Sequence, residues 1–208
     1  MSRSRLRSAG AGYVRAKGGA RTAGASATSG RAFTGRLGGF LSSAVSSGFR
    51  AALESVGLRG FVGESAETVF ACLVDKLAPS GATKEEAAAR RATIEVFAVL
   101  YENVVENGDV SALEGLDADS VEQAVEQSVS GYIYNRWLDE LGLSIEKGAI
   151  SEGNAIRLEA EVREYVTSCI SLELDGKSVL DVNWEGAEGR GIIGRVYRDA
   201  YAVLEAAE

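Results

Sequence analysis

Residues 31–57 read RAFTGRLGGFLSSAVSSGFRAALESVG. Phe33, Leu37, Phe40, Leu41, Val45, Phe49, Ala52, Leu53 and Val56 recur there at steps of three and four residues. That period puts them on one face of a helix. The spacing predicts a single long helix from about Arg31 to Gly57, because a glycine just past the last periodic residue commonly ends a helix. Gly35, Gly38, Gly39, Ser42, Ser43, Ser46, Ser47 and Gly48 crowd the same stretch. Small side chains allow a neighbouring helix to come close, so close helix–helix packing is the first reading. A membrane-surface helix is the weaker alternative, since the polar face is mostly serine rather than lysine.

The pattern continues toward the C-terminus. Residues 58–64 read as a turn, and Ser65 is a candidate N-cap for a helix with Val69, Phe70, Leu73, Val74 and Leu77 inward. Pro79-Ser80-Gly81 ends it. Thr83 with Glu86 three residues on is a capping box. The helix it opens runs through Ile94, Phe97, Ala98, Leu100, Tyr101, Val104 and Val105, to a stop at Asn107-Gly108. A short turn then holds Val110, Leu113 and Leu116. Asp117 or Asp119 caps a helix from Val121 to Leu141, ended by Gly142, with Val121, Ala124, Val125, Val129, Tyr132, Ile133 and Trp137 inward. Ser151 caps the next, which carries Ile156, Leu158, Val162, Tyr165, Val166, Cys169 and Ile170. Within 172–183 the period can be read as two around Leu172–Leu174, Asp175-Gly176 is a turn signal, and Val179, Leu180 and Val182 follow. A small β-hairpin competes there with an irregular turn and a short helix. A last helix spans Glu188 to Ala206, with Ile192, Ile193, Val196, Tyr197, Tyr201 and Leu204 inward. The expected fold is all-α, an irregular bundle of six or seven helices, with no repeat of fixed length.

Upstream of residue 31 the composition changes. Residues 1–30 are rich in Gly, Ala, Ser and Arg, and Gly10, Gly12, Gly18 and Gly19 weaken any helix there by roughly 1 kcal/mol each relative to alanine. They are expected to be an arm, ordered weakly or by a partner, with 24–31 (GASATSGR) as a linker into a helical domain over 31–208.

Charge follows the same asymmetry. Residues 1–60 hold ten bases (Arg3, Arg5, Arg7, Arg15, Lys17, Arg21, Arg31, Arg36, Arg50 and Arg59) against one acid, Glu54, a net +9. Residues 61–208 hold 12 bases and 29 acids, a net −17, which leaves the chain at −8. Such a split suggests an interaction arm on a folded body. Nine of the ten bases are arginine, which favours bidentate recognition of carboxylate or phosphate. The arm therefore suits an acidic protein partner, a nucleic acid, or the acidic body of its own chain or a second copy. Its aromatics, Tyr13, Phe33 and Phe40, do not alternate with the bases as in single-strand binding grooves.

Chemistry is harder to find. The chain has no histidine, so the commonest general base and the commonest metal ligand are both missing. Cys72 and Cys169 lie far apart among apolar neighbours and read as reduced core thiols. Glu159, Glu161, Glu164 and Glu173 fall on different helical faces, and a di-metal carboxylate bundle would need histidine as well. Gly186 to Gly191 reads G-x-x-G-x-G ahead of a helix, but no βαβ unit frames it, so it reads as a helix entry. Tyr132-Ile133-Tyr134-Asn135-Arg136-Trp137 is dense in aromatics and serves either the core or an interface, and Trp184 can anchor either. No apolar run reaches the roughly 18 residues of a membrane span, and the first twenty residues are too polar for a secretory signal.

Ordered strings from about Gly30 onward carry a family resemblance. They include Gly35-Arg36-Leu37-Gly38-Gly39-Phe40-Leu41, Ala51 to Leu58 (AALESVGL), Val62 to Glu67 (VGESAE) and Leu77 to Thr83 (LAPSGAT). Tyr132-Ile133-Tyr134, Ile145 to Ala149 (IEKGA) and Val182 to Gly186 (VNWEG) complete the set. In these the chain resembles the QatB proteins of the Qat anti-phage defence systems. The resemblance implies a non-catalytic subunit without a cofactor. It also implies an operon partner set of an ATPase, a QueC-like nucleotide-binding enzyme and a TatD-like nuclease. The QueC-like enzyme is expected to act on or dock to the N-terminal region, modifying an N-terminal glycine with a deazaguanine-type base. This chain begins Met1-Ser2-Arg3, with no glycine after the methionine, so either a leader precedes it or the modification does not apply, and no modification site is carried over. The expectation is a cytoplasmic binding and scaffold subunit, with Arg3, Arg5, Arg7, Arg15, Lys17, Arg21, Arg31, Arg36 and Phe40 as candidate partner-binding residues. The alternative is a nucleic-acid-binding module that uses the arginine-rich arm.

Overall fold

A computed structural model describes residues 11–105, 115–146, 152–174 and 177–206. Residues 11–16 are helical. They are followed by α1 (Ala20–Ser26), α2 (Thr28–Ser47), α3 (Phe49–Ser55), a 3-10 turn (Arg59–Phe61), α4 (Ala66–Leu77) and α5 (Lys84–Val105). Then come α6 (Ala118–Glu146), α7 (Glu152–Glu173), a second 3-10 turn (Val179–Asp181) and α8 (Ala187–Ala206). The all-α expectation holds among the described residues, with more helices than the six or seven expected.

The small-residue helix α2 is the hub. It packs on α3, α4, α5, α6, α8 and the second 3-10 turn. Its glycines are the reason it can. A Cβ built at Gly38 would stand 2.7 Å from the Trp184 ring, and one at Gly30 would stand 2.6 Å from both the Tyr132 ring and the Tyr197 hydroxyl. Large aromatics from other elements therefore sit against α2 backbone, at core density, where any side chain would collide. The close-packing reading of residues 31–57 is met in this way.

The single helix to Gly57 is not. It breaks at Gly48, whose φ of +90° and ψ of 150° lie where only glycine rests without strain. The break folds α3 back on α2, so that Phe49 meets Phe40 edge-on with ring centroids 5.8 Å apart. Periodicity alone cannot reveal this, because the apolar steps continue across the kink.

The capping signals read as expected. The Ser65 side chain accepts from the Thr68 N–H at 3.4 Å, and α4 buries Val69, Phe70, Leu73, Val74 and Leu77. Thr83 and Glu86 form the reciprocal box, with Thr83 N–H to Glu86 Oε2 at 3.0 Å and Glu86 N–H to Thr83 Oγ1 at 3.1 Å. Asp117, rather than Asp119, caps α6 through the Ser120 N–H at 2.9 Å. All seven expected inward residues of α6 are buried, as are the six of α8.

Other expectations need correction. α6 does not stop at Gly142 but runs on to Glu146, since one interior glycine costs a helix only about 1 kcal/mol. Ile156 does not face inward; it is 57% exposed. No hairpin forms among the described residues of 172–183. α7 continues to Glu173, and Ile170 and Leu174 point into the core at helical spacing. The chain then folds into the 3-10 turn capped by the Ser178 hydroxyl, which accepts the Leu180 N–H. Trp184 locks that turn by donating its indole N–H to the Val179 carbonyl at 3.1 Å. The Asn107-Gly108 stop, the turn at Val110 and Leu113, the Ser151 cap and Asp175-Gly176 lie outside the described residues, as do the Leu158 and Val162 side chains.

The arm expected to reach residue 30 meets a different geometry. α1 runs to Ser26 and α2 begins at Thr28, so every residue of the expected linker except Ala27 is helical. Tyr13, Val14, Ala20, Ala23 and Ala27 all belong to the core, and α1 lies along α8. The small residues that weaken an isolated helix are what let this one lie flat: a Cβ at Gly24 would come within 2.9 Å of the Arg198 Cα.

Candidate interaction surface

A buried aromatic anchor and a polar tie help hold the start of the described chain on the body. Tyr13 packs against Tyr201, ring centroids 6.4 Å apart. Beneath them lies Arg136 of α6, whose side chain is only 5% exposed, with Nη2 3.9 Å from Glu85 Oε1. Tyr132 and Tyr197 complete the cluster with their rings edge-on at 5.5 Å. Burial raises the pKa of Tyr132, Tyr197 and Tyr201, so these phenols stay neutral in the core. Thr34 joins in through Ser128 at 2.9 Å and the Tyr197 hydroxyl at 3.4 Å. The polar tie is the Ala20 N–H, which donates to Glu205 Oε2 at 3.0 Å. It links the start of α1 to the last turn of α8, across a turn made by Gly18 and Gly19 with φ of +87° and +88°.

On this frame the candidate residues divide. Arg15 and Arg21 are exposed, and Lys17 is half-buried with its ammonium 5.8 Å from the Tyr13 ring centroid. Arg31 is half-buried beside α8, where a Cβ at Gly194 would stand 3.2 Å from its Nη2. Arg36 is turned inward: its Nε donates to the Leu77 carbonyl at 2.7 Å, and burial lowers its pKa against the raising effect of Glu185. It thus staples α2 to the end of α4. Phe40 is 3% exposed and belongs to the core, so it offers no contact to a partner. Arg3, Arg5 and Arg7 lie outside the described residues. Among the described candidates the exposed ones are therefore Arg15 and Arg21, with Lys17 and Arg31 half-buried.

The remaining candidates are structural. Trp137, Tyr132 and Arg136 are core. Gly189 of the G-x-x-G-x-G stretch abuts the Trp184 backbone, and its N–H already donates to the Asn183 carbonyl, as does that of Gly186. That packing accounts for the glycine without an anion. Glu173 forms a bidentate pair with Arg195, with Nε and Nη2 each 2.7 Å from a carboxylate oxygen. Cys72 and Cys169 are free and half-buried rather than fully in the core. No group of three Asp, Glu or Cys converges as a metal site among the described residues. No helix among them is long and apolar enough to cross a membrane. A feature that the sequence reading missed lies elsewhere, in the apolar groove between α4 and α5 lined by Phe70, Val74, Ile94 and Phe97.

No curated protein matches the chain, and no solved structure does. One family model, described as Qat anti-phage system associated protein QatB, matches residues 18–204 of the 208. That span covers every helix from α1 to the final turn of α8, so the chain belongs to the QatB family, whose members are subunits of an anti-phage defence system.

Proposed function

We propose that this chain is a non-catalytic binding and scaffold subunit of the Qat complex, and that its basic N-terminal surface docks an acidic face of the QueC-like enzyme. The observation that carries the reading is the way the described part of the +9 segment packs onto the remainder of the chain, whose residues 61–208 carry a net −17. The apolar side of that segment (Tyr13, Val14, Ala20, Ala23) is buried, while Arg15 and Arg21 face outward. Such a surface steers an acidic partner and favours its encounter over others. The system's ATPase and TatD-like nuclease are further partners on this reading, joined through the same assembly.

The test is co-purification with the QueC-like neighbour in moderate salt, followed by size-exclusion. Truncation of the whole segment is unsuitable, because it would open the core. Arg15→Glu with Arg21→Glu keeps the buried face intact. The reading expects the wild-type pair to co-elute and the double variant to lose the partner with an unchanged melting temperature. A wild-type mixture that elutes as separate species sinks it. Retention of DNA or RNA that falls steeply with salt, without any protein complex, would favour the nucleic-acid alternative.

A further inference from the structure

The groove between α4 and α5 has the shape and charge of a helix-binding site. Its volume is ≈ 480 Å³. Phe70 and Phe97 pair at 5.3 Å to form the floor, with Val74 beside them, and Ala71 and Ala98 keep the walls low. Ile94 borders it at 49% exposure. The two helices are bridged at both ends of this floor. At one end Arg90 Nη2 pairs with Asp75 Oδ1 at 2.5 Å and Nη1 donates to the Ala78 carbonyl at 3.0 Å. At the other the Tyr101 hydroxyl donates to Glu67 Oε1 at 2.5 Å. From Arg90 to Glu102 the wall follows thirteen residues of α5, about 18 Å over twelve rises of 1.5 Å, or roughly three helical turns.

The charge along the groove is polarised. Arg90 is neutralised by Asp75, so the acidic excess of the lining falls at the opposite end, on Glu67 and Glu102. Isolated exposed apolar residues are ordinary on a protein surface, but an apolar floor closed at both ends and acidic at one is not.

We infer that this groove takes a basic amphipathic helix of another protein chain, about three turns long. Its apolar residues, spaced at i, i+3 or i+4, and i+7, lie on Phe70, Val74 and Phe97, and its Lys or Arg residues lie at the Glu67–Glu102 end. This surface is separate from the Arg15–Arg21 face and does not depend on the docking proposed there.

Two measurements test it on the full chain. The first is fluorescence anisotropy with a labelled 14-residue helical peptide that carries three leucines on one face and lysines on its flanks, alongside the same peptide with glutamates. The lysine peptide should bind saturably and weaken as salt rises, the glutamate peptide should bind at least about tenfold more weakly, and Ile94→Lys with Ala98→Lys should cost the lysine peptide about tenfold. Both positions are exposed on a helix that tolerates lysine, and an unchanged melting temperature verifies the fold. Equal binding of the two peptides, no saturation of either, or indifference to the double variant overturns the inference. The second is a photo-crosslinking residue at position 94 in cells that express the whole defence system. A crosslink to a basic helical segment of another chain supports the inference. One to a second copy of this chain, to residues 106–114 of the same chain, or to an acidic or extended segment overturns it. Arg15→Glu with Arg21→Glu should leave both results unchanged, which separates a failure here from a failure of the docking reading.

Discussion

Replacing Gly38 by alanine sets two physical effects against each other. Gly38 lies in the interior of the 20-residue helix α2, where alanine is the better helix former by about 1 kcal/mol. Against that, the new Cβ would meet Trp184 Cδ2 at 2.7 Å, Cγ at 2.8 Å and Cδ1 at 3.1 Å. Ordinary contact begins near 3.4 Å, so the indole must move by several tenths of an ångström. Trp184 is 2% exposed and its N–H is tied to the Val179 carbonyl, so it has little room to do so. Overpacking of this kind costs about 1–3 kcal/mol. Gly39, the next residue, supplies the control: its Cβ would meet only the flexible Glu185 carboxylate at 3.4 Å. Gly39→Ala should therefore gain stability, while Gly38→Ala falls short of it by about 1–3 kcal/mol, a gap of about 3–10 °C in melting temperature for a chain of this size. Trp184→Phe, combined with Gly38→Ala, should recover part of the loss non-additively. Thermal unfolding followed by circular dichroism compares the wild type with Gly38→Ala, Gly39→Ala, Trp184→Phe and the double variant. If Gly38→Ala stabilises as much as Gly39→Ala, the account of α2 as a hub built on backbone contact is wrong.

Phe40→Ala should cost about 3–5 kcal/mol in urea unfolding, as for a fully buried aromatic, and should affect partner binding no more than its loss of stability explains. Gly48→Ala forces a side chain into a φ of +90° and should cost about 1–3 kcal/mol from backbone strain alone, since the new Cβ would stand in open space with nothing within 4 Å. Stability should also fall in acid. Hydrogen bonds hold three carboxyls below their usual range: Glu67 through the Tyr101 hydroxyl, Glu86 through the Thr83 N–H, and Asp117 through the Ser120 side chain. Their stabilisation is complete above the unfolded values, near about 4, and is lost as pH falls through the lower folded values. Glu126, raised by burial, acts in the opposite sense and contributes when protonated, at low pH. The melting temperature should thus drop from pH 6 to pH 3, less steeply in Asp117→Asn and more steeply in Glu126→Gln; a rise toward pH 3 would contradict the assignment.

Local chemistry made much of this fold legible. Ser65, the Thr83–Glu86 box and Asp117 mark helix starts because a side chain and an amide three residues away suffice to form them. The faces of α4, α6 and α8 are legible because each buries one stripe. What stayed hidden depends on pairing between distant segments. Nothing in the residues around Arg136 separates an interface arginine from one enclosed by Tyr13, Tyr132, Tyr201 and Glu85, which come from three other elements and α6 itself. The groove was hidden for a similar reason. Phe97 and Ile94 both fit an inward stripe on α5, yet α4 covers one and leaves the other half in solvent. Arg36 read as a surface cation until its Nε found a carbonyl 41 residues away.

The tie between Ala20 and Glu205 joins residues 185 positions apart. It has a consequence for the order of events on the ribosome. α8 is the last of the described helices to be made, and α1 has little else to lie along until α8 emerges. At roughly 5–20 residues per second, the basic segment would wait about ten seconds or more in the nascent chain before its resting place exists. A partner that reads the segment in that interval meets it undocked, with Tyr13 and Val14 as available as Arg15 and Arg21. After release, the same partner finds only the cationic side. Recognition during synthesis and recognition afterwards are therefore two different binding problems posed by one stretch of sequence.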